Sequence, residues 1–286
     1  MWQQIIQQIN DEVEQPFIFV DKQQLAGSEL NRIYKLQGET KHYFAKINQR
    51  PYFKHFKEEA LSLKTLRQHK ALSVPNVICY GQTLDNAFLI LDYLKLTEPT
   101  DSHWQQLATQ IAHMHQQLDQ AMFGFDWDNY IGHTLQPNKW QNNWSSFFSE
   151  QRIGWQLQLL VEQGFGFGNV DAIVEKTRQR LQGYQPAPSL LHGDLWRGNV
   201  GFSADEAWLF DPACYYGDRE TDIAYSQLFG RFPDAFYNHY HALLPLDPNF
   251  EQRKELYNLY HILNHANLFR GAYLVQAQQV IKQLFF

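Results

Sequence analysis

The chain is poor in several things, and each scarcity removes a class of protein. Only two of its 286 residues are cysteines. Cys79 and Cys214 lie far apart and without metal-ligand spacing, so neither a disulfide framework nor a cysteine metal knuckle is on offer. That usage suits a reducing compartment, and a cytoplasmic protein is expected. No block of Lys and Arg occurs, and 24 basic residues against 30 acidic ones leave a net charge of −6. Binding to nucleic acid by phosphate neutralisation is therefore not expected. No apolar run approaches a membrane span, and Met1-Trp2-Gln3-Gln4 lacks the basic start and apolar stretch of a secretion signal. No membrane partner is expected either. Internal repeats and low-complexity tracts are missing, because the many glutamines are scattered over helical segments. What is present is apolar material, 44% of the residues, ample for a large core in one domain or two lobes.

The patterning changes character near residue 95. Before it, Ile33–Leu36 and His42–Ile47 flank Gln37-Gly38-Glu39-Thr40 as a hairpin. Phe53, Phe56, Ala60, Leu63 and Leu66 recur at helical spacing. Val77–Tyr80 and Ala87–Asp92 read as two further strands about a Gly81/Asn86 turn. Gly27-Ser28 precedes the first strand, where a nucleotide-covering loop would lie. Beyond Thr97, Trp104, Leu107, Ile111, Met114 and Leu118 form one apolar stripe. Helices are expected over 139–163 and 169–184, broken by Gly164 to Gly168, and again over 220–229, 233–243, 250–264 and 268–284. The expectation is an α+β chain: a small antiparallel-sheet lobe with one main helix over 1–95, and a larger, mostly helical lobe over 96–286 carrying a catalytic hairpin.

That hairpin is the most informative segment. It reads His192-Gly193-Asp194-Leu195-Trp196-Arg197-Gly198-Asn199, followed after a short apolar stretch by Phe210-Asp211-Pro212-Ala213. Phosphoryl transfer needs one carboxylate near the acceptor hydroxyl and oxygen ligands that hold magnesium against the nucleotide phosphates. A His-x-Asp with Asn five residues on, and a second Asp one hairpin later, supplies those groups in the protein-kinase order. Asp194 would orient or deprotonate the hydroxyl, and Asn199 and Asp211 would hold Mg2+ on ATP. His192 is expected to organise the loop through hydrogen bonds to backbone and to Asp211. As loop residues alone the aspartates would merely make turns, but then the whole register would be coincidence.

Lys46 lies in an apolar strand run, where a charge is costly unless paired. A kinase uses that position to reach the α- and β-phosphates, with a helix carboxylate holding the lysine. Glu59 is the natural partner and adjacent Glu58 the competitor. Leu89 to Leu94 would be the last strand of the small lobe running into a hinge, placing Asp92 and Leu94 beside the nucleotide.

These motifs resemble the fructosamine kinase, or ketosamine-3-kinase, family, a branch of the aminoglycoside and choline phosphotransferases on the bilobal protein-kinase-like fold. Tyr43-Phe44-Ala45-Lys46-Ile47-Asn48 is similar to the family's lysine strand, and Phe56 with Glu59-Ala60 to the helix after it. Phe123-Gly124-Phe125, Asp128-Asn129-Tyr130-Ile131-Gly132, and then Thr134, Gln136, Asn138, Trp140, Trp144, Phe147-Phe148 and Arg152 resemble its most distinctive insert. His192 to Asn199, Asp211-Pro212-Ala213 and Tyr216-Gly217-Asp218-Arg219-Glu220-x-Asp222 complete the resemblance, which covers nearly the whole chain. Leu25 to Asn31 departs from it, being less glycine-rich than a kinase phosphate loop. The resemblance implies ATP-dependent phosphorylation of O3 of a fructosamine or ribulosamine, on a glycated protein or amine, after which the unstable product sheds its sugar.

The acceptor side stays open between several residues. In the insert, Asp128 and Asn129 would bind sugar hydroxyls. Trp140 and Trp144, at i and i+4 on one expected helix, would stack on the sugar or simply fill a helical core. Trp196 is either core or a wall of the acceptor site. Asp218, Glu220 or Asp222 would suit a ketosamine's secondary ammonium, and Asp218 could equally cap the helix that follows. Two other readings are an aminoglycoside- or choline-type kinase, which calls for an acidic acceptor cleft, and a non-catalytic binding module. The latter would require loss of Lys46, Asp194, Asn199 or Asp211, all of which are present. The oligomeric state is not fixed by the sequence.

Overall fold

The computed structural model describes residues 1–26, 30–68 and 72–286. In chain order its elements are α1 (Trp2–Glu12), β1 (Phe19–Leu25), β2 (Arg32–Gly38), β3 (His42–Gln49), α2 (Phe53–Gln68), β4 (Val77–Gln82), β5 (Asn86–Asp92), α3 (Asp101–His115), β6 (Asn129–Ile131), β7 (Thr134–Gln136), α4 (Trp144–Phe147), α5 (Trp155–Glu162), α6 (Val170–Arg180), β8 (Ser189–Leu191), β9 (Val200–Phe202), β10 (Ala207–Leu209), β11 (Tyr215–Gly217), α7 (Glu220–Tyr225), α8 (Asp234–Leu243), α9 (Phe250–Phe269) and α10 (Ala272–Phe285). They form two compact units, Met1–His103 with Gly201–Asp211, and Trp104–Val200 with Pro212–Phe286. Among the described residues no helix is long and apolar enough to cross a membrane.

The first unit is built on a five-stranded sheet of order β1-β2-β3-β5-β4, antiparallel throughout. The strand alternation of β3 decides what each face carries. Tyr43, Ala45 and Ile47 join Leu36, Phe88 and Ile90 in a core closed by Ile5 and Ile9 of α1. Side chains alternate across a strand, so Lys46 points to the opposite face, where Glu59 of α2 meets it. Neither α1 nor β1 is expected from the sequence. In a helix rich in Gln, Ile5 and Ile9 are its only fully buried side chains, and each contributes roughly 1.5–3 kcal/mol by burial.

The return segment 201–211, expected in the C-terminal lobe, packs with this unit. Leu209 N–H donates to Ser73 O at 3.0 Å and Thr97 N–H to Phe202 O at 2.7 Å. Asp211 is thereby carried into the lysine's unit.

The second unit departs from expectation mainly in the insert. In place of a helical subdomain, β6 and β7 form a hairpin, and Phe123 and Gly124 make bridges to Gln141 and Tyr216. Gly124 holds φ at +139°, and a Cβ would lie 2.7 Å from Asn138 O, so no other residue fits there without displacing the Asn138 backbone. The helix begins only at Trp144, capped by Asn143, whose side chain accepts from Ser146 N–H. Trp140 therefore lies outside it, and the expected Trp140/Trp144 pair on one helix face does not exist. A π-helical stretch, Phe148–Gly154, joins α4 to α5. Leu118, the last expected member of the α3 stripe, falls beyond the helix end and is exposed. The last two helices part at Arg270 and Gly271, both at positive φ, rather than near residue 266.

Candidate active site

Lys46 is 5% exposed. Its Nζ donates to Glu59 Oε1 at 2.8 Å and also to Asp211 Oδ1. Burial disfavours the ammonium, but the Asp211 and Glu59 carboxylates outweigh it and hold the lysine's pKa above its ordinary value. Burial pushes the Glu59 carboxyl up, with Lys46 opposing and Asp211 adding to the effect. The competitor, Glu58, is buried with Oε2 unpartnered and burial raising its pKa, so the pairing goes to Glu59. Asp211 has φ of +51°, a strained value for a non-glycine residue that Asp and Asn tolerate best. Its side chain is 47% exposed. Asp92 ends β5, half-buried and 3.6 Å from Lys41, and Leu94 follows it, also half-buried. Gly27 and Ser28 lie outside the described residues. Asn48 Nδ2 pins the chain just after them, donating to Leu30 O at 2.9 Å and Asn31 Oδ1 at 2.8 Å.

In the second unit, β8 delivers His192, and the loop turns at Gly193. A Cβ on Gly193 would sit 2.0 Å from Ala213 O, and φ there is +78°. Asp222 of α7 fastens this turn. Its Oδ2 accepts from His192 N–H at 2.8 Å and its Oδ1 from Gly193 N–H at 2.9 Å. Buried His115 bridges Asp222 Oδ2, at 3.1 Å, and Tyr240 OH, at 2.8 Å. Burial lowers the His115 pKa, against the pull of Asp222. Asp194 N–H donates to His192 Nδ1 at 3.2 Å, so His192 does organise backbone. The Asp194 carboxylate takes Asn199 Nδ2 at 2.7 Å and a hydrogen bond from the buried Tyr225 hydroxyl. The sequence offers Asp222 only as one of three acceptor candidates, through the Tyr216–Asp222 segment, and carries no signal for Tyr225.

The acceptor candidates divide by burial. Asp128 is exposed, its Oδ1 accepting from Asn138 N–H at 2.8 Å. Trp196 is half-buried, with Gly198 packed on its indole. Four other residues face the interior instead of an acceptor surface. Asn129 Nδ2 donates to Cys214 O at 2.8 Å. Trp144 is stacked among Phe123, Phe147 and Phe148, with Nε1 on Tyr257 OH. Asp218 accepts from Tyr257 OH at 2.6 Å and Glu220 N–H at 3.0 Å. Glu220 is gripped by Arg253 at 2.8 and 3.0 Å. Each has its polar atoms committed to partners distant in sequence, which local patterning could not reveal. All are at most 2% exposed.

Among the described residues no three His, Cys, Asp or Glu side chains gather to hold a metal alone. Magnesium usually takes one or two protein oxygens and completes its shell with phosphates and water. The exposed Asp211 carboxylate of the first unit and, in the second, the Asn199 carbonyl oxygen, turned from Asp194 because Nδ2 faces it, are each an oxygen donor of that kind.

The fructosamine kinase family model matches residues 1–286. A probable ketoamine kinase of Vibrio parahaemolyticus is 47% identical over 287 residues, covering 99% of each chain. The crystal structure of a candidate fructosamine-3-kinase from Haemophilus somnus superposes with a TM-score of 0.95 at 37% identity, covering 100% of this chain and 98% of that one. A choline kinase from Streptococcus pneumoniae shares the fold alone, with a TM-score of 0.65 at 16% identity over 99% and 98% of the two chains. The fold is thus the expected α+β, protein-kinase-like one, and the chain is a phosphotransferase. It belongs to the fructosamine kinase family.

Proposed function

We propose that the enzyme transfers the γ-phosphoryl group of ATP to the O3 hydroxyl of a ketosamine, and that the phosphorylated product sheds its sugar and restores the amine. The observation that carries this reading is the Asp194–Asn199 pair on a turn whose two amides are fastened by Asp222. Such a carboxylate is held still and aimed, which is what a phosphotransferase asks of the residue that orients an acceptor hydroxyl. Asp194 accepts the hydroxyl's hydrogen bond and takes its proton as the O3–P bond forms and the γ-phosphorus parts from the bridging oxygen of ADP, the leaving group. Lys46, fixed by Glu59, bears on the α- and β-phosphates. Asn199 and Asp211 would hold Mg2+, which supplies charge neutralisation on the phosphates when bound. Asp128 and Trp196, which keep exposed surface, are the residues we assign to the sugar. The names of the relatives support a ketosamine acceptor.

An aminoglycoside- or choline-type acceptor calls for an acidic cleft; Asp218 and Glu220, the carboxylates weighed for a cationic acceptor, are buried and paired, so what favours a ketosamine over these is the names of the relatives. The two cysteines are buried and unbridged, which supports a reducing, cytoplasmic setting. The test is ATP consumption with fructosyl-lysine, ribulosyl-lysine, an aminoglycoside and choline, with phosphorus NMR of the product. Turnover confined to ketosamines, with phosphate on O3, is expected. Preference for the aminoglycoside or choline would overturn the reading.

A further inference from the structure

The segment between Phe123 and Arg152 carries three interlinked amides, Asn129, Gln136 and Asn138, each 1% exposed. Their orientation is fixed because each has a partner that can only accept or only donate: Ala213 O, Cys214 O, Trp127 O and the Arg152 guanidinium. Gln136 Nε2 donates to Asn129 Oδ1 at 2.7 Å and to Ala213 O at 3.1 Å. Its Oε1 accepts from Tyr260 OH at 2.6 Å. Asn129 Nδ2 donates to Cys214 O at 2.8 Å, while its Oδ1 also accepts from Asn138 Nδ2 at 2.9 Å. Asn138 Oδ1 takes Arg152 NH2 at 2.7 Å. Rotating any amide would set oxygen against oxygen.

Ala213 and Cys214 precede β11 and belong to no strand, so their carbonyls need side-chain donors. Ala213 is also the floor of the catalytic turn. Its N–H donates to His192 O at 2.9 Å, and Gly193 is packed against its carbonyl. Resting on the reading of Asp194 as the hydroxyl-orienting group, we propose that Asn129, Gln136 and Asn138 are positioning residues. Gln136 and Asn129 hold the Ala213–Cys214 backbone directly and Asn138 holds Asn129, and through that backbone they fix the His192–Gly193 turn that aims Asp194. The insert then serves kcat, through its interior, more than acceptor binding.

The experiment is steady-state kinetics of Gln136→Met and Asn129→Ala with ATP and fructosyl-lysine, well below each variant's melting temperature. Both should lower kcat by about tenfold or more, since small misplacements of reacting groups are costly, with both KM values within about twofold. Tyr257→Phe, a buried phenol that bonds Asp218 instead, should lower the melting temperature and leave kcat unchanged. Should Gln136→Met not fold, Tyr260→Phe removes the hydroxyl that bonds Gln136 Oε1, together with its bond to Gln156, and should lower kcat by about two- to tenfold. Unchanged kcat in the folded variants overturns the proposal, as does a raised fructosyl-lysine KM at constant kcat. Asp194→Asn separates the two levels of argument. If it turns over normally, the catalytic reading itself fails. If it is inactive while Gln136→Met is normal, only the positioning role falls.

Discussion

Asn199 donates its side-chain amide both to Asp194 Oδ2, at 2.7 Å, and to the Asp194 backbone carbonyl, at 2.9 Å. Both atoms accept, so Asn199 must present nitrogen to Asp194 and turn its oxygen elsewhere. In the proposed reaction one side chain would thus aim the Asp194 carboxylate and offer a neutral oxygen to a cation. Asn199→Asp would replace the donor with a second carboxylate against Asp194, and like charges that close cannot both ionise at ordinary cost. Asn199→Asp is expected to lower kcat more than Asn199→Ala, by about a hundredfold or more from the native enzyme. Measuring kcat and the Mg2+ requirement of both variants checks this; a more active Asn199→Asp would refute the amide's orientation.

Asp211→Asn should keep the fold, because Asn also tolerates the positive φ of +51° at that position. Turnover should nevertheless fall on the order of a hundredfold, with weaker productive use of Mg·ATP. Melting curves and magnesium titrations of kcat provide the measurement. Near-native turnover would remove Asp211 from the reaction.

Lys46 and Glu59 should behave as one unit. Lys46→Ala, Glu59→Ala and the double variant form a cycle in which the double loss is well below the sum of the single losses in free energy. Strict additivity would separate the pair. Glu58→Gln supplies the comparison. Its Oε2 is buried and unpartnered, so neutralising it should leave activity near normal and stability equal or higher.

The acceptor contacts can be told from core residues by how their variants fail. Asp128→Ala and Trp196→Ala should raise the ketosamine KM by roughly five- to a hundredfold, the equivalent of about 1–3 kcal/mol, and leave the ATP KM unchanged. Trp144→Ala should instead cost stability, about 3–5 kcal/mol, because the indole is packed among core aromatics. If Trp144→Ala is as stable as the native chain and only binds acceptor poorly, its burial does not describe its role.

The pH dependence of stability should report Asp218. Burial, followed by the nearby Glu220 carboxylate, pushes its carboxyl up to about 7. A carboxyl whose pKa is raised by folding binds its proton more tightly in the native state. Its contribution is fully present below the ordinary carboxylate range and is lost as pH rises through about 7. Native protein should therefore lose melting temperature between about pH 4 and pH 7. Asp218→Asn should melt lower overall but with a flatter slope, and an unchanged slope would assign the titration elsewhere.

The sequence by itself determined whatever depends on residues close in the chain or on strand and helix phase. Asn199 lies five residues from Asp194, so their pairing was readable as a motif. Lys46 on an apolar strand and Glu59 beside the Phe56–Ala60–Leu63 stripe were set by the two periodicities. Three-residue strands such as β6 and β7 are too short to show alternation, so the insert read as helix and put Trp140 on a face it does not occupy. What only the tertiary structure decided were contacts across long stretches of chain. Lys46 meets Asp211 at a separation of 165 residues, and Trp144 meets Tyr257 at 113. Asp222 reaches back to the His192–Gly193 amides across 30 and 29 residues. Asn129, Asp218 and Glu220 look like ligand-binding groups in a linear chain because they are polar. Burying them was possible only where partners such as the Cys214 carbonyl, Tyr257 and Arg253 take their hydrogen bonds, since an unpaired polar group is too costly to leave inside.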